Sequence, residues 1–297
     1  MKSVVAGGSG FIGRALVADL LGSGEVVVLS RNPEKVRRGR GVLWDAKGPG
    51  AWEAELDGAD LVVNLAGESL DGRWTANKKR RLIESRVDAT AALVTALGRS
   101  PRPERTFISA SAVGIYGDRG DERLGDGAPA GEGFLADLCR AWEEAAQRAS
   151  SSARLVIGRF GVVLGREGGA LPRMAQPIRF FVGGRVSSGR QWLSWIDRRD
   201  VVRFMRWAAA TPSARGVYNV TSPNPVPNRE FTATLAAVLH RPALVPAPAA
   251  AIRIVLGEMG DALLLASQRV QPDRLLAEGF TFAFADLRRS LETIYMR

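Results

Sequence analysis

Cysteine and histidine are nearly missing from this chain: 297 residues contain one of each, Cys139 and His240. A lone cysteine excludes an internal disulfide and a cysteine-built zinc site. A lone histidine argues against His-rich metal centres, so no metal is expected, and it leaves one chance for a Ser-His-Asp triad. Lysine stops early. Lys2, Lys35, Lys47, Lys78 and Lys79 are the only lysines among 41 basic residues, and the rest are arginine. Tyrosine is confined to Tyr116, Tyr218 and Tyr295. Long hydrophobic runs are absent as well. The longest apolar stretch, near Ala247 to Leu256, is interrupted by Pro248 and Arg253 and is too short to span a bilayer, so no membrane partner is expected. The opening MKSVVAGGSG has no signal-peptide core or cleavage site, which predicts a cytoplasmic location.

What remains is ordinary globular material, with 46% hydrophobic and 24% charged residues, and disorder is excluded. The length suits a core domain carrying a smaller lobe. The net charge of +10 raises the question of nucleic acid. Its densest cluster, Lys78, Lys79, Arg80 and Arg81 with Arg73 and Arg86 nearby, comes with no nucleic-acid motif and no interleaved aromatics. A solvated helix face is the plainer reading, with attraction for an anionic cofactor second. No nucleic-acid partner is expected.

Along the chain, short β-branched runs alternate with helical periodicity. Strands are predicted near Val4 to Ala6, Val26 to Leu29, Leu61 to Leu65, Thr106 to Ser109 and Arg154 to Ile157. Helices are predicted to Leu21, over Lys78 to Leu97 and over Phe134 to Ala149. This alternation predicts an α/β fold with a Rossmann-type, doubly wound parallel sheet. After Gly165 the rhythm breaks into short, Gly- and Pro-punctuated pieces. Residues 1–165 are therefore read as the nucleotide-binding domain and 166–297 as a smaller substrate lobe, with some later segments returning to the sheet.

The loop Gly7-Gly8-Ser9-Gly10-Phe11-Ile12-Gly13 follows a strand and opens a helix, the context that a dinucleotide fingerprint requires. A tight turn against a pyrophosphate excludes side chains, and the helix N-terminus supplies N–H donors. The second strand then ends in Ser30-Arg31-Asn32, where an NAD binder carries a carboxylate. A carboxylate would repel a 2′-phosphate, whereas Arg31 can clamp one. NADP(H) is the expected cofactor.

These elements, with Asn64-Leu65-Ala66-Gly67 and the run Ser109 to Gly117, resemble the extended short-chain dehydrogenase/reductases. The resemblance narrows with Gly67-Glu68-Ser69, Ser85-Arg86, Arg159 to Gly165, Ser188 to Ile196, Pro223 to Asn228, Gly257-Glu258-Met259 and Gln268-Arg269-Val270. Together they resemble the atypical "epimerase family" branch, with its distinctive C-terminal segment from about Pro248. The resemblance implies cofactor contacts at Gly7, Gly10, Phe11, Ile12, Gly13, Ser30, Arg31 and Gly67. It places Leu65 and Ala66 beside the adenosine half, Arg86 near the cofactor, and the Val163 backbone near the nicotinamide amide.

Most short-chain dehydrogenases use a Tyr-x-x-x-Lys helix beside a Ser or Thr, the lysine lowering the tyrosine pKa. Here the corresponding helix, anchored on Glu143, carries Leu135 and Cys139 at those positions. The catalytic candidates left are Ser111, after the fifth strand, and Tyr116, the remaining phenol near the sheet's carboxyl edge. The acidic loop Asp118, Asp121, Glu122 and Asp126 reads as a mobile lid. Trp192, Trp195 and Arg190 suit a planar or sugar-phosphate substrate or, for the tryptophans, core packing. The expected function is an NADP(H)-dependent oxidoreductase or epimerase-like enzyme on a small sugar- or nucleotide-like substrate. The alternative is a non-catalytic NADP(H)-binding sensor or interaction protein.

Overall fold

The computed structural model describes residues 1–296. Seven strands form one all-parallel sheet. They are β1 (Lys2–Ala6), β2 (Glu25–Ser30), β3 (Arg40–Leu43), β4 (Leu61–Asn64), β5 (Thr106–Ala112), and the strands Arg154–Phe160 and Gly216–Val220. Their order across the sheet is β3, β2, β1, β4, β5, Arg154–Phe160, Gly216–Val220. The order reverses between β1 and β4, so a crevice opens at their carboxyl ends, where doubly wound sheets bind ligands.

Consecutive strand residues face opposite sides, and here both sides are apolar. Val5, Val28, Val63 and Ile108 meet α1 (Phe11–Leu20) and α5 (Arg198–Ala210) through Leu16, Leu20, Phe204 and Met205. Val4, Val27, Val62 and Phe107 meet α2 (Ala76–Arg99) through Ala89, Leu93 and Leu97. Each such large aliphatic side chain contributes roughly 1.5–3 kcal/mol on full burial. α3 (Phe134–Gln147) packs beside α2.

The strands predicted for the first half are present, but β3 and the edge strand Gly216–Val220 had no clear periodicity to announce them. The edge strand returns to the sheet from beyond residue 165, so the lobe is assembled from chain on both sides of that strand. It has its own core, where Leu171 and Ile178 of α4 (Leu171–Arg179) pack with Trp195, with Phe231 and Leu235 of α6 (Asn228–Val238), and with Leu291 of the last helix, Leu287–Tyr295. No described helix is long and apolar enough to cross a membrane.

Candidate functional site

The glycine loop turns at Gly7, whose φ of +77° lies where side chains are rarely tolerated. A Cβ there would also lie 2.7 Å from the Leu65 backbone and 2.9 Å from the Ala66 nitrogen. Gly13 serves helix–strand packing, since its Cβ would fall 2.3 Å from the Gly7 carbonyl oxygen. Gly10 differs, because only the Gly7 oxygen at 3.2 Å approaches its Cβ position. It opens α1 with no side-chain cap and no acidic residue in the first turn, so the orphan N–H groups there await an acceptor. The geometry is a cradle that a side chain would fill and a pyrophosphate fits.

The other cofactor candidates gather around this loop. Ser30 closes β2, its hydroxyl accepting the Asn32 N–H at 3.1 Å, and Arg31 follows it, exposed. Phe11 is wrapped by Gly165, Gly168 and Gly169 and covered by the Arg198 guanidinium at 4.8 Å. A Cβ on Gly169 would lie 3.0 Å from the Val163 oxygen, which places Val163 beside the same ring. Ile12 lies in the first turn of α1.

Arg86 comes from α2 to the same edge. A Cβ on Gly67 would sit 3.1 Å from its guanidinium carbon. Its nitrogens donate to the carbonyls of Leu82 at 3.1 Å and Glu68 at 3.0 Å, and the group lies 5.3 Å from the Trp142 ring centroid. Burial pulls its pKa down. Among the described residues it forms no ion pair, and its two hydrogen bonds use two of five donors.

The place of the usual Tyr-Lys pair is dry. Leu135 packs against Gly114, 3.3 Å from where its Cβ would be. Cys139 is buried, and desolvation together with the nearby Glu143 pushes its thiol up to about 11. It is a packing residue at neutral pH rather than a nucleophile.

Ser111 and Tyr116 lie in one hydrogen-bonded network. Ser111 is 2% exposed and donates to Glu143 at 2.6 Å. Glu143 is gripped by both arms of Arg159 at 2.8 Å each. Arg159 also donates to the Tyr116 hydroxyl at 2.9 Å, and that phenol, wholly buried, donates to Asn219 at 2.7 Å. Burial raises the Tyr116 pKa, which makes it a poorer acid. Both hydroxyls are bonded to buried partners in the wall of the site, and burial makes the Tyr116 phenol harder to ionise. Glu143 and Arg159 were missed at the sequence level as a bonded pair. The available signal was a carboxylate one helical turn after Cys139 on a buried helix face.

The acidic loop is not a lid. Asp126 accepts the N–H groups of Asn219 at 2.6 Å and Arg274 at 3.0 Å, and Asp118 accepts that of Ser267 at 3.1 Å. Backbone N–H groups of the edge strand and of the lobe hold it down. The basic run at the start of α2 is also tied: Lys78 meets Glu68 at 2.7 Å, Arg81 meets Glu68 at 3.3 Å, and Lys79 meets Glu258.

A nucleotide cradle on a reversed parallel sheet, with the Tyr-Lys pair replaced, can now be set beside known proteins. The model of the NAD dependent epimerase/dehydratase family matches residues 3–221, and a domain of unknown function, DUF1731, matches 247–294. The chain belongs to the NAD dependent epimerase/dehydratase family. Within it, the epimerase family protein YfhF of Bacillus subtilis is 38% identical over 99% of this chain and 98% of its own. The human epimerase family protein SDR39U1 is 35% identical over 99% of both chains. A crystal structure of human SDR39U1, isoform 2, with NADPH superposes with a TM-score of 0.89 at 34% identity, covering both chains fully. This is an SDR39U1-like epimerase family chain with the DUF1731 segment.

In this epimerase family chain the two candidate tryptophans part company. Trp195 is fully buried, its indole N–H donating to the Asn224 carbonyl at 2.9 Å. Trp192 instead lines a cavity of about 690 Å³ with Asp118, Asp121, Arg190 and Arg229. Its indole donates to Asp121 at 2.8 Å, and Arg269 stacks 4.4 Å from its ring centroid. His240, exposed just past α6, takes no part.

Proposed function

We propose that this chain binds NADP(H) and acts as an atypical oxidoreductase or epimerase-like enzyme on a small sugar- or nucleotide-like substrate. The observation that carries the reading is the uncapped start of α1 at Gly10, set against Leu65 and Ala66, with Arg31 where an NAD binder has a carboxylate. NADPH, when bound, supplies a hydride. The chain's own residues hold the pyrophosphate at Gly10 to Gly13, clamp the 2′-phosphate at Ser30 and Arg31, and present the Arg86 guanidinium toward the reacting end. Arg86 takes the electrostatic place of the missing lysine. Ser111 and Tyr116 act as positioning residues, fixing the Glu143–Arg159 pair. The proton arrives through water, because no described phenol or amine near the edge is both accessible and acidic enough. The cavity at Trp192, Arg190 and Arg229 receives the polar part of the substrate. A single buried cysteine supports the cytoplasmic placement.

Calorimetry tests the cofactor half. NADPH should bind more tightly than NADH, and Arg31→Asp should remove about 1.5–3 kcal/mol of NADPH affinity. Equal affinities for the two cofactors in the parent protein would overturn the assignment. The closed Ser111–Glu143–Arg159 network favours a second reading, a non-catalytic NADP(H) sensor. Mass spectrometry of the purified protein separates the two, because an enzyme of this kind should retain a second small molecule in competition with added keto-sugar nucleotides.

A further inference from the structure

α4 ends in a turn where an unusual residue stands. The Phe181 N–H returns to the Ile178 carbonyl at 3.0 Å and the Val182 N–H to that of Pro177 at 3.0 Å, the closure that normally places glycine in the left-handed position. Here that position is Phe181, with φ +63°, a conformation bulky side chains rarely adopt. Its ring gains no burial in exchange, being 58% exposed, with Phe180 at 69% and Val182 at 62%.

A second strip zips onto this turn. The Val245 N–H donates to the Gly183 carbonyl at 3.1 Å, the Ala247 N–H donates to that of Arg185 at 2.9 Å, and Val186 pairs with Ala247. This sets Leu244, 82% exposed, and Val245, 50% exposed, alongside the segment that follows Val182. Scattered apolar residues on a surface are ordinary, whereas five large ones gathered on adjoining turn tips mark an interaction site.

The two stretches that form this face carry one sign of charge. No aspartate or glutamate occurs from 168 to 196 or from 231 to 257. Arg173 and Arg253 in these stretches reach Asp71 and Asp261. Arg179, Arg185, Arg190 and Arg241 form no ion pair among the described residues. The Arg241 guanidinium lies 5.3 Å from the Phe181 ring centroid. Arg166, Arg179 and Arg241 line a cavity of about 370 Å³ with Tyr295, whose buried hydroxyl has no hydrogen-bond partner among the described residues.

We propose that this face docks on an anionic lipid surface, with Phe180, Phe181, Val182, Leu244 and Val245 entering the interface and Arg179 and Arg241 taking a phosphate headgroup. Charge complementarity selects this occupant. A second copy related by a two-fold axis would set arginine rim against arginine rim. A bilayer interface accepts protruding apolar tips and supplies the missing anions. That no described helix is long and apolar enough to cross a membrane leaves docking at its surface open.

Vesicle co-sedimentation of the full chain with NADPH tests the proposal. Binding to phosphatidylcholine vesicles containing phosphatidylglycerol is expected, with little to phosphatidylcholine alone, and it should weaken as salt is raised. Phe181→Gly relieves the turn, so its Tm should match or exceed the parent's while vesicle affinity falls about 10-fold or more. Leu244→Ser should weaken binding in the same direction, and reversing Arg179 and Arg241 to glutamate should abolish the preference for anionic vesicles. NADPH affinity should stay unchanged in all of them. Parent protein that ignores anionic vesicles, or Phe181→Gly that binds them equally, overturns the proposal. So does a concentration-dependent dimer that Phe181→Gly dissolves while vesicles go unbound. Free glycerol phosphate binding as tightly as the vesicles, unaffected by Phe181→Gly, would mark a soluble-anion site and also overturn it.

Discussion

At the β1 end of the sheet's carboxyl edge the chain leaves donors open, whereas at the β5 end it pairs them with one another. The start of α1 has neither a cap nor an acid. Ser111, Glu143, Arg159, Tyr116 and Asn219 instead pass hydrogen bonds from one to the next, at 2.6 to 2.9 Å. An unpaired donor beside a crevice is a ligand site in waiting. A saturated buried network is a wall, since each member would lose a partner by turning outward. The same fold thus keeps its nucleotide half ready and closes the corner where relatives with a Tyr-Lys pair exchange protons.

Breaking the wall should have the largest effect. Arg159 and Glu143 each expose only 12% of their side chains, so Arg159→Met leaves a carboxylate stranded and should cost about 3–5 kcal/mol in urea unfolding. A loss below about 1 kcal/mol would mean water already reaches the pair, and the contrast between the two corners would collapse.

The thiol inside the wall gives a pH signature. The folded pKa of Cys139, about 11, lies above its ordinary 9.0, so the unfolded chain sheds this proton first. Its contribution is therefore complete below about pH 9 and is lost as pH climbs toward 11, by at most about 2–3 kcal/mol. Thermal unfolding across this window should fall less steeply for Cys139→Ala than for the parent, and parallel curves would show the thiol to be hydrated.

The smallest change sharpens the contrast. Tyr116→Phe should cost about 1 kcal/mol of stability and leave NADPH affinity unchanged. If turnover on an identified substrate instead dropped about 100-fold at unchanged stability, the phenol would regain its place as proton donor.

The nucleotide half was legible because its determinants are local. Gly7, Gly10 and Gly13 lie within one turn, and Val4 to Ala6 precede them directly. The closed corner joins residues that are remote in sequence: Tyr116 meets Asn219, and Asp126 meets Arg274. No period or motif relates such pairs, and the choice of Asn219 depends on an edge strand that sequence periodicity did not reveal. Ser111 and Tyr116 were legible as residues but their partners were not, because a hydroxyl's partner is set by tertiary burial. The lid reading of Asp118 to Asp126 failed likewise. Acidic loops look solvated until a lobe supplies N–H donors.

Asp126 also bears on how the chain is made. One carboxylate oxygen holds the edge strand at Asn219, and the other holds the helix start at Arg274. During synthesis, Asp126 waits through roughly half the chain for both partners to emerge. Until Asn219 emerges the sheet lacks its outer strand and leaves an unpaired edge at Arg154–Phe160, the kind of surface that invites mispairing. Arg274, within the DUF1731 segment, completes this anchor after the edge strand is already in place.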